Sequence, residues 1–420
     1  MGAAGSLYIA GAVAGALLFG RLADVLGRKR LFLATLAIYM AATLATGFAG
    51  GYAFFALCRF ATGLGIGGEY AAINSAIDEL VPARVRGRVS LAINGSFWIG
   101  AALGAALSLA LLDDTLVPVQ WGWRLGFMVG AALAVAILLV RRHVPESPRW
   151  LAIRGRAREA DRIVADIEAQ VAARHGPLPP VPDIARTRPA SAGPPSLADV
   201  AVALAHTYRR RSGVALALMV SQAFFYNAIF FTYALVLTRF HGVADDRVGL
   251  YMFPFALGNV LGPWLLGPLF DRVGRRRMMA ATYVLSGIGL ALTGWAFVAG
   301  WLDAHSQAMC WCAVFFLASA AASSAYLTVS EVFPLEMRAL AISLFYAVGT
   351  GGGGIMGPLV FGALIQSGRP EAVAGGYIFA AALVVAAGIA ALFLGVDAER
   401  RPLEEVAGPM PRSGGGRRRR

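Results

Sequence analysis

The sequence predicts an all-α polytopic membrane protein built from two pseudo-symmetric helix bundles. The 420 residues are 58% hydrophobic and only 15% charged, whereas about a quarter of the residues in a soluble domain are charged. Apolar runs of at least about 18 residues recur, which is the length that crosses a bilayer as a helix. The sequence GRLADVLGRKR at 20–30 reappears as GPLFDRVGRRR at 267–277, and this indicates two repeated halves.

Eleven apolar segments are predicted to be membrane-spanning helices. They cover residues 4–20, 31–49, 53–77, 89–112, 124–140, 213–237, 248–269, 278–300, 308–329, 339–364 and 373–394. The second half has two predicted spans up to its copy of the repeated sequence, whereas the first half has only one. We therefore expect eleven helices where a complete pair of repeats would have twelve, with Met1 outside. A misassigned start and a real truncation both explain this difference.

These spans divide the chain into four predicted regions. They are an N-terminal bundle with helices 2–6 of the complete fold (1–140), a cytoplasmic loop (141–212), a C-terminal bundle with helices 7–12 (213–394) and a basic cytoplasmic tail (395–420). In the loop, Ile163, Ile167 and Val171 recur at helical spacing, which predicts a short amphipathic helix. A proline-rich linker follows it.

Pairs of glycines four residues apart predict close contacts between the helices. Small residues at this spacing let two helix backbones approach each other in a membrane. The pairs are Gly11/Gly15, Gly63/Gly67, Gly100/Gly104 and Gly258/Gly262.

The positive charge of the chain is sorted by loop. The formal net charge is +13, and 32 of the 37 Lys and Arg residues lie in alternate loops and in the tail. By the positive-inside rule these loops and the C-terminus are cytoplasmic, and the sorting argues against a nucleic-acid partner. The arginine-rich composition, with Lys29 as the only lysine, suggests a GC-rich bacterial genome and hence a bacterial inner membrane.

Neither a metal site, a cofactor site nor an enzyme active site is predicted. Cys310 and Cys312 are two apart on a predicted helix and point in different directions, and Cys58 lies within another span. The sequence contains no phosphate-binding glycine loop followed by lysine, and no zinc-ligand spacing.

Four motifs resemble those of the major facilitator superfamily. The repeated Gly-x-x-x-Asp-x-x-Gly-Arg sequence is similar to the signature loop of that superfamily, and it occurs in both halves. PESPRWL at 145–151 and EVFP at 331–334, with an arginine four residues later, are similar to sugar-porter motifs. RFATGLGIGGEY at 59–70 resembles the fourth-helix motif of metabolite:proton symporters. The chain is thus identified as similar to the sugar-porter and metabolite:proton symporter branch.

The resemblance implies a secondary active transporter that works by alternating access, with proton-coupled symport as the expected mode. The expected partners are a small organic molecule, a proton and the lipid bilayer, and a monomer is expected. The substrate class stays open between a sugar or polyol and an organic acid. Two alternatives also stay open, namely a non-transporting sensor or inactive relative, and proton-driven efflux.

Charged residues at the cytoplasmic helix ends are expected to form a gate. Their opposite charges can pair in one conformation and separate in the other, and the resemblance implies that they hold the cytoplasmic side closed. They are Asp24, Arg28, Glu79, Arg86, Glu146, Arg149, Asp271, Arg275, Glu331 and Arg338.

Arg59 and Glu69 are the expected proton-coupling residues. A charge within a membrane span is costly and therefore needs a partner or water. The resemblance implies that the partner of Arg59 is an aspartate on the first helix of the complete fold. Glu69 lies ten residues further along the same helix, about 15 Å deeper, and an intramembrane carboxylate can carry a proton. Snorkelling of Arg59 and a structural salt bridge of Glu69 are the competing interpretations.

The expected substrate-binding residues are Gln222, Tyr226, Asn227, Tyr326, Asn94 and Trp98. The resemblance implies that Gln222 and Asn227, five residues apart, lie on the seventh helix of the complete fold and face the substrate. Their amides suit hydroxyl or carboxylate groups. Tyr226 and Tyr326 depart from the sugar-porter pattern, and this departure weakens the case for a hexose. Hydrogen bonding between helices is the alternative role for these polar side chains.

Overall fold

The protein is described by a computed structural model over residues 2–111, 113, 115–141, 145–178, 196–244 and 247–407. The helices of the first half are α1 (Gly2–Leu26), α2 (Arg28–Gly47), α3 (Tyr52–Leu80), α4 (Arg86–Gly95), α5 (Phe97–Leu111) and α6 (Val119–Arg141). Three helices follow in the predicted cytoplasmic loop, α7 (Pro148–Ile153), α8 (Ala157–His175) and α9 (Leu197–Val202). The second half contains α10 (Arg209–Phe230), α11 (Tyr233–His241), α12 (Met252–Arg272), α13 (Arg275–Val298), α14 (Ala304–Val332), α15 (Arg338–Val348), α16 (Ile355–Gln366) and α17 (Pro370–Leu394), and α18 (Leu403–Val406) follows.

Ten of the described helical segments are long and apolar enough to cross a membrane. The predicted span 53–77 coincides with α3, whose 29 residues also exceed a bilayer crossing in length. The amphipathic helix predicted in the cytoplasmic loop is α8. The proline-rich linker lies for the most part outside the described residues.

The repeated sequence forms the same turn twice. Gly27 separates α1 from α2 with φ of 101°, and Gly274 separates α12 from α13 with φ of 113°. A side chain with a Cβ atom is strained at such angles, and glycine is not. Each turn reverses the chain at the end of a span and sets an arginine, Arg28 or Arg275, at the start of the next helix.

Three of the four predicted glycine pairs lie at helix contacts. A Cβ on Gly63 would stand 2.0 Å from the carbonyl oxygen of Tyr8, and one on Gly67 would stand 1.8 Å from that of Ala12, so α3 packs backbone to backbone on α1. A Cβ on Gly262 would lie 1.8 Å from the carbonyl oxygen of Phe316, so α12 packs in the same way on α14. The expectation for the fourth pair, Gly100 and Gly104, was wrong. A Cβ placed on either glycine would meet no atom of another helix within 4 Å among the described residues.

The largest contacts between the two halves join three pairs of helices. α1 packs on α15, and α12 packs on α4 and α5. The span of α15 and α16 is broken by a π-helical turn, Gly349–Gly354, whose glycines fit against the backbone of α10. α10 itself ends at Phe230 and α11 resumes at Tyr233. Interrupted helices of this kind position backbone and side chains at the binding sites of transporters.

Candidate functional site

The predicted gate residues of the first half form one buried cluster. An Arg28 guanidinium nitrogen lies 3.1 Å from the Asp24 carboxylate and 3.0 Å from that of Glu79. Glu79 also accepts a hydrogen bond of 2.9 Å from the Ser75 hydroxyl. Glu146 accepts a bond of 3.0 Å from the backbone N–H of Arg28, so it caps the first turn of α2. The cluster thus joins the ends of three helices.

The second half repeats this arrangement. The Arg275 guanidinium lies 2.9 Å from Asp271 and donates hydrogen bonds of 2.9 and 3.1 Å to the two carboxylate oxygens of Glu331. Glu399 accepts from the backbone N–H of Arg275 at 3.4 Å, as Glu146 does from Arg28. Arg275 and Glu331 are both buried. The paired motifs of the sequence are therefore paired sites in space.

Three contacts join the two halves at these two charged clusters. Arg86 of the first half lies 3.4 Å from Glu331 of the second. Asp271 accepts hydrogen bonds of 2.9 Å from the backbone N–H groups of both Gly87 and Arg88, at the start of α4. Asp24 accepts one of 3.2 Å from the N–H of Leu340, at the start of α15. Arg338 of the second half also interacts electrostatically with Asp24 of the first half.

These contacts hold the two halves against each other at one end of the molecule, the end that the sequence predicts to be cytoplasmic. A buried ion pair stabilises a structure little when it is whole, but losing one partner costs about 3–5 kcal/mol because a charge is left uncompensated. A carboxylate at a helix N-terminus adds roughly 0.3–2 kcal/mol. The network therefore favours the conformation in which every charged group has a partner.

Segments from the predicted cytoplasmic loop and tail contact this closed end. Arg149 on α7 donates a hydrogen bond to the backbone carbonyl of Glu79 and pairs with Glu404 of α18 at 2.8 Å. Burial alone would raise the pKa of Glu404, but the hydrogen bond and charge of Arg149 outweigh it, so this pKa lies below its ordinary value of 4.5. Glu146 and Arg149, close together in the sequence, serve different partners.

Arg59 is held by aromatic rings. Its guanidinium carbon lies 5.5 Å from the ring centre of Tyr8 and 5.0 Å from that of Phe127. Its Nε is buried and makes no hydrogen bond with the described residues. Cation–π contacts contribute about 0.5–2 kcal/mol each, so they offset part of the cost of placing this charge within the span.

Two tyrosines lie between the predicted coupling residues. Tyr8 and Tyr39 both interact electrostatically with Arg59 and with Glu69. Glu69 is half-buried on α3. The two predicted coupling residues thus share these two tyrosines as electrostatic neighbours, and sequence reasoning missed both tyrosines.

A stack of three tyrosines joins the halves beyond the charged network. The ring of Tyr70 on α3 lies 5.6 Å from that of Tyr326 on α14 and 5.1 Å from that of Tyr346 on α15, with interplanar angles of 23° and 21°. The Gln222 side chain hydrogen-bonds with the Tyr326 hydroxyl. Counted along α3, the stack stands nine residues from Glu79, or about 14 Å.

A second aromatic group lies beside this stack. Trp98 on α5 is 6% exposed and packs against Tyr226, Phe230 and Phe255 of the other half at 5.4–5.9 Å. Tyr226 also packs edge-on against Phe315 at 4.8 Å and hydrogen-bonds with Asn259. Four predicted substrate residues, namely Gln222, Tyr226, Tyr326 and Trp98, are thus brought together where the halves meet.

The two predicted asparagines are partly engaged within their own halves. The Asn227 amide donates to the carbonyl of Ala223, one turn earlier, at 2.7 Å. The Asn94 amide donates to Ser90 at 2.9 Å and to Asn74 at 3.2 Å. Each keeps an amide oxygen for another partner. Their role in binding stays a prediction.

Comparison with known proteins agrees with this architecture. Residues 1–408 match the family described as "Sugar (and other) transporter". The chain belongs to this family. The niacin transporter NiaP of Acinetobacter baylyi is 30% identical over 84% of this chain and 76% of its own length. The gallate transporter of Pseudomonas putida is 27% identical over 86% of this chain and 76% of its own.

Solved structures show the same fold. The proton:xylose symporter XylE, a major facilitator superfamily protein bound to 6-bromo-6-deoxy-D-glucose, matches 96% of this chain and 87% of its own with a TM-score of 0.77 and 18% identity. XylE from E. coli in a partially occluded inward-open conformation gives 0.64. The chain is therefore a multi-pass membrane protein with the major facilitator fold. It is a secondary transporter of small metabolites and not an enzyme.

Proposed function

We propose that this transporter is a proton-coupled symporter, that it works by alternating access in a bacterial inner membrane, and that its C-terminus is cytoplasmic. The single observation that carries the mechanism is the buried charge network that joins α1, α4, α12 and α15 at one end. The lower TM-score against the inward-open structure agrees with a closed cytoplasmic end. The predicted regions 1–140 and 213–394 would rock against each other as the network breaks.

Arg59 and Glu69 are the proposed coupling pair. Both are charged groups on a membrane-spanning helix, and the tyrosines between them can relay a proton or hold water. The structurally similar XylE is named a proton:xylose symporter, and this supports a proton as the coupling ion. The chain is proposed to act as a monomer.

The proposed substrate is a planar aromatic carboxylic acid. Aromatic faces and amide groups line the region between the halves, and stacked rings favour a flat aromatic partner. Two relatives are named for niacin and gallate. A polyol is the second candidate, because the Gln222 amide suits hydroxyls and the IolT relative from Bacillus subtilis is named a major myo-inositol transporter.

Uptake into proteoliposomes with an inside-alkaline pH gradient tests both parts of the proposal. Labelled nicotinate, gallate, myo-inositol and xylose would be compared with and without an uncoupler. Gradient-dependent accumulation of nicotinate or gallate supports the proposal. Accumulation of myo-inositol alone moves the substrate to the polyols. Counterflow without any response to the gradient contradicts proton coupling, and exit of substrate driven by the gradient points to efflux.

A further inference from the structure

A cleft opens at the cytoplasmic ends of α10 and α17, away from the region between the halves. It is lined by Arg209, Arg210, Gly213, Val214, Ala390 and Leu394 and has a volume of about 370 Å³. Sites that hold small organic groups typically measure about 300–1,000 Å³. The cleft is therefore large enough for a phosphodiester headgroup.

The two arginines of this cleft differ from their neighbour Arg211. Arg211 donates hydrogen bonds of 2.8 and 3.0 Å to the carbonyls of Val332 and Val406. Arg209 and Arg210 are exposed, and no carboxylate lies among the six lining residues. Nearby Asp397 is bound to Arg276 at 3.3 Å. The cleft thus presents two positive charges that no lining residue neutralises.

The other wall of the cleft is apolar, and part of it is exposed at the surface of the chain. Leu394 ends α17 with half of its surface exposed, and Gly213 leaves open space where a side chain would stand, since a Cβ there meets no atom within 4 Å. The preceding apolar segment Ala198–Thr207 leaves Val202 exposed on the same approach to α10. Charge and apolar surface therefore meet where the span enters the cytoplasm.

We propose that this cleft binds an anionic phospholipid. The phosphodiester lies between the guanidiniums of Arg209 and Arg210, and the glycerol and first acyl carbons lie along Val214, Ala390 and Leu394. Arginine recognises phosphate through several directed hydrogen bonds, and basic clefts between spans on the cytoplasmic side suit anionic headgroups. A bound lipid would tie the start of α10, the helix that carries Gln222 and Tyr226, to the end of α17.

Lipid binding to the delipidated chain in detergent tests this proposal. Native mass spectrometry would measure the apparent Kd for phosphatidylglycerol and for phosphatidylcholine with the same acyl chains. We expect preference for phosphatidylglycerol, and about thirtyfold weaker binding in R209Q/R210Q, since each basic residue contributes about fivefold. The control R158Q/R162Q removes the same charge from exposed positions on α8 and should bind normally.

Two further variants keep the test decisive. G213L fills the open space without changing charge and should weaken binding, whereas R209K/R210K should keep most of it. Equal affinity for the two lipids, or equal loss in the control on α8, would overturn the proposal. So would full competition by inorganic phosphate at matched concentration, because that result assigns the cleft to a free anion.

Discussion

Asp24 and Asp271 each cap the first turn of a helix in the opposite half of the molecule. Asp24 accepts from the backbone N–H of Leu340 at 3.2 Å, and Asp271 accepts from those of Gly87 and Arg88 at 2.9 Å. Each aspartate also pairs with the arginine four positions later. A residue of the repeat therefore holds its own half together and joins it to the other half.

Asp271→Asn should loosen the closed cytoplasmic end. The amide keeps a hydrogen-bond acceptor but loses the charge that favours the start of α4, which contributes about 1–2 kcal/mol. The ratio of closed to open molecules should fall about fivefold to thirtyfold. Maleimide labelling of a cysteine at buried Ser343, in a background without the three native cysteines, would report this opening.

The control for this variant is Asp113→Asn. Asp113 is exposed, and among the described residues its carboxylate bonds within its own turn, to Thr115 at 2.5 Å and 2.8 Å. Its loss should leave labelling at position 343 unchanged. If Asp271→Asn also leaves labelling unchanged, the crossing contact does not hold the end closed.

Glu331→Gln should have a larger effect on stability. It leaves Arg275 and Arg86, both buried, without a shared carboxylate, and breaking a buried pair costs about 3–5 kcal/mol. We expect a marked drop in the thermal midpoint in detergent, together with faster labelling at position 343. Glu146→Gln is the matched comparison, because within the described part of the chain Glu146 accepts hydrogen bonds from Arg28, Lys29 and Ser147 and from no residue of the second half. It should lower stability without faster labelling.

The charged network was largely predictable, because repetition exposes it. The two copies of the repeated sequence have identical residue types at equivalent positions 247 apart. This predicted that the charged residues of both copies belong to one gate. The sequence did not predict which groups would pair across the halves. The backbone N–H partners of Asp24 and Asp271 depend on where the first turns of α4 and α15 lie in space. The pattern of side chains along the sequence does not predict these positions.

The proposed substrate-binding region was less predictable than the charged network. Gln222, Tyr226, Tyr326 and Trp98 were expected there and come together. Tyr346, which completes the tyrosine stack, was missed, because one tyrosine in an apolar span has no periodic or motif signal. Arg59 was expected to need a partner or water within the span, and in the described part of the chain its guanidinium lies over two aromatic rings.

Arg59→Ala should abolish accumulation against a gradient while leaving counterflow. Without its charge the relay through Tyr8 and Tyr39 loses the group that responds to protonation. Arg59→Lys keeps the charge and should retain part of the coupling. Arg124→Ala is the control, since Arg124 also stacks on an aromatic ring, that of Trp123 at 4.2 Å, but is predicted to lie in an external loop. Unchanged accumulation in Arg59→Ala would refute its coupling role.

Tyr70→Leu should raise the KM for an aromatic acid about tenfold. The change removes an aromatic face from the proposed site, and one aromatic contact with the substrate would contribute about 0.5–1.5 kcal/mol, or up to about tenfold in affinity. It also removes the ring contacts that position Tyr326 and Tyr346. Tyr70→Phe keeps the ring and should stay within about twofold of the parent, as should the exposed control Tyr52→Leu. If Tyr70→Phe loses as much as Tyr70→Leu, the hydroxyl and not the ring is the group that matters.

Glu404→Gln should show a pH-dependent loss of stability. Arg149 holds the pKa of Glu404 below its ordinary value of 4.5 against the opposing effect of burial. A depressed carboxyl pKa contributes stability above the unfolded-state pKa, and this contribution is lost as pH falls through the folded-state pKa. The pair is half exposed, so the contribution at pH 7 is at most about 1 kcal/mol.

Thermal midpoints measured from pH 7 down to about pH 3.5 would check this expectation. The difference between parent and Glu404→Gln should be largest near neutral pH and should shrink below about pH 4.5 as the parent carboxylate becomes protonated. Arg149→Gln should lower stability more than Glu404→Gln, because it also removes the hydrogen bond to the Glu79 carbonyl. The double variant should lose little more than Arg149→Gln alone, because both changes remove the same ion pair. The exposed Glu168→Gln on α8 controls for net charge. A difference that grows on acidification would contradict the role of Arg149, since protonation of the parent can only remove the ion pair.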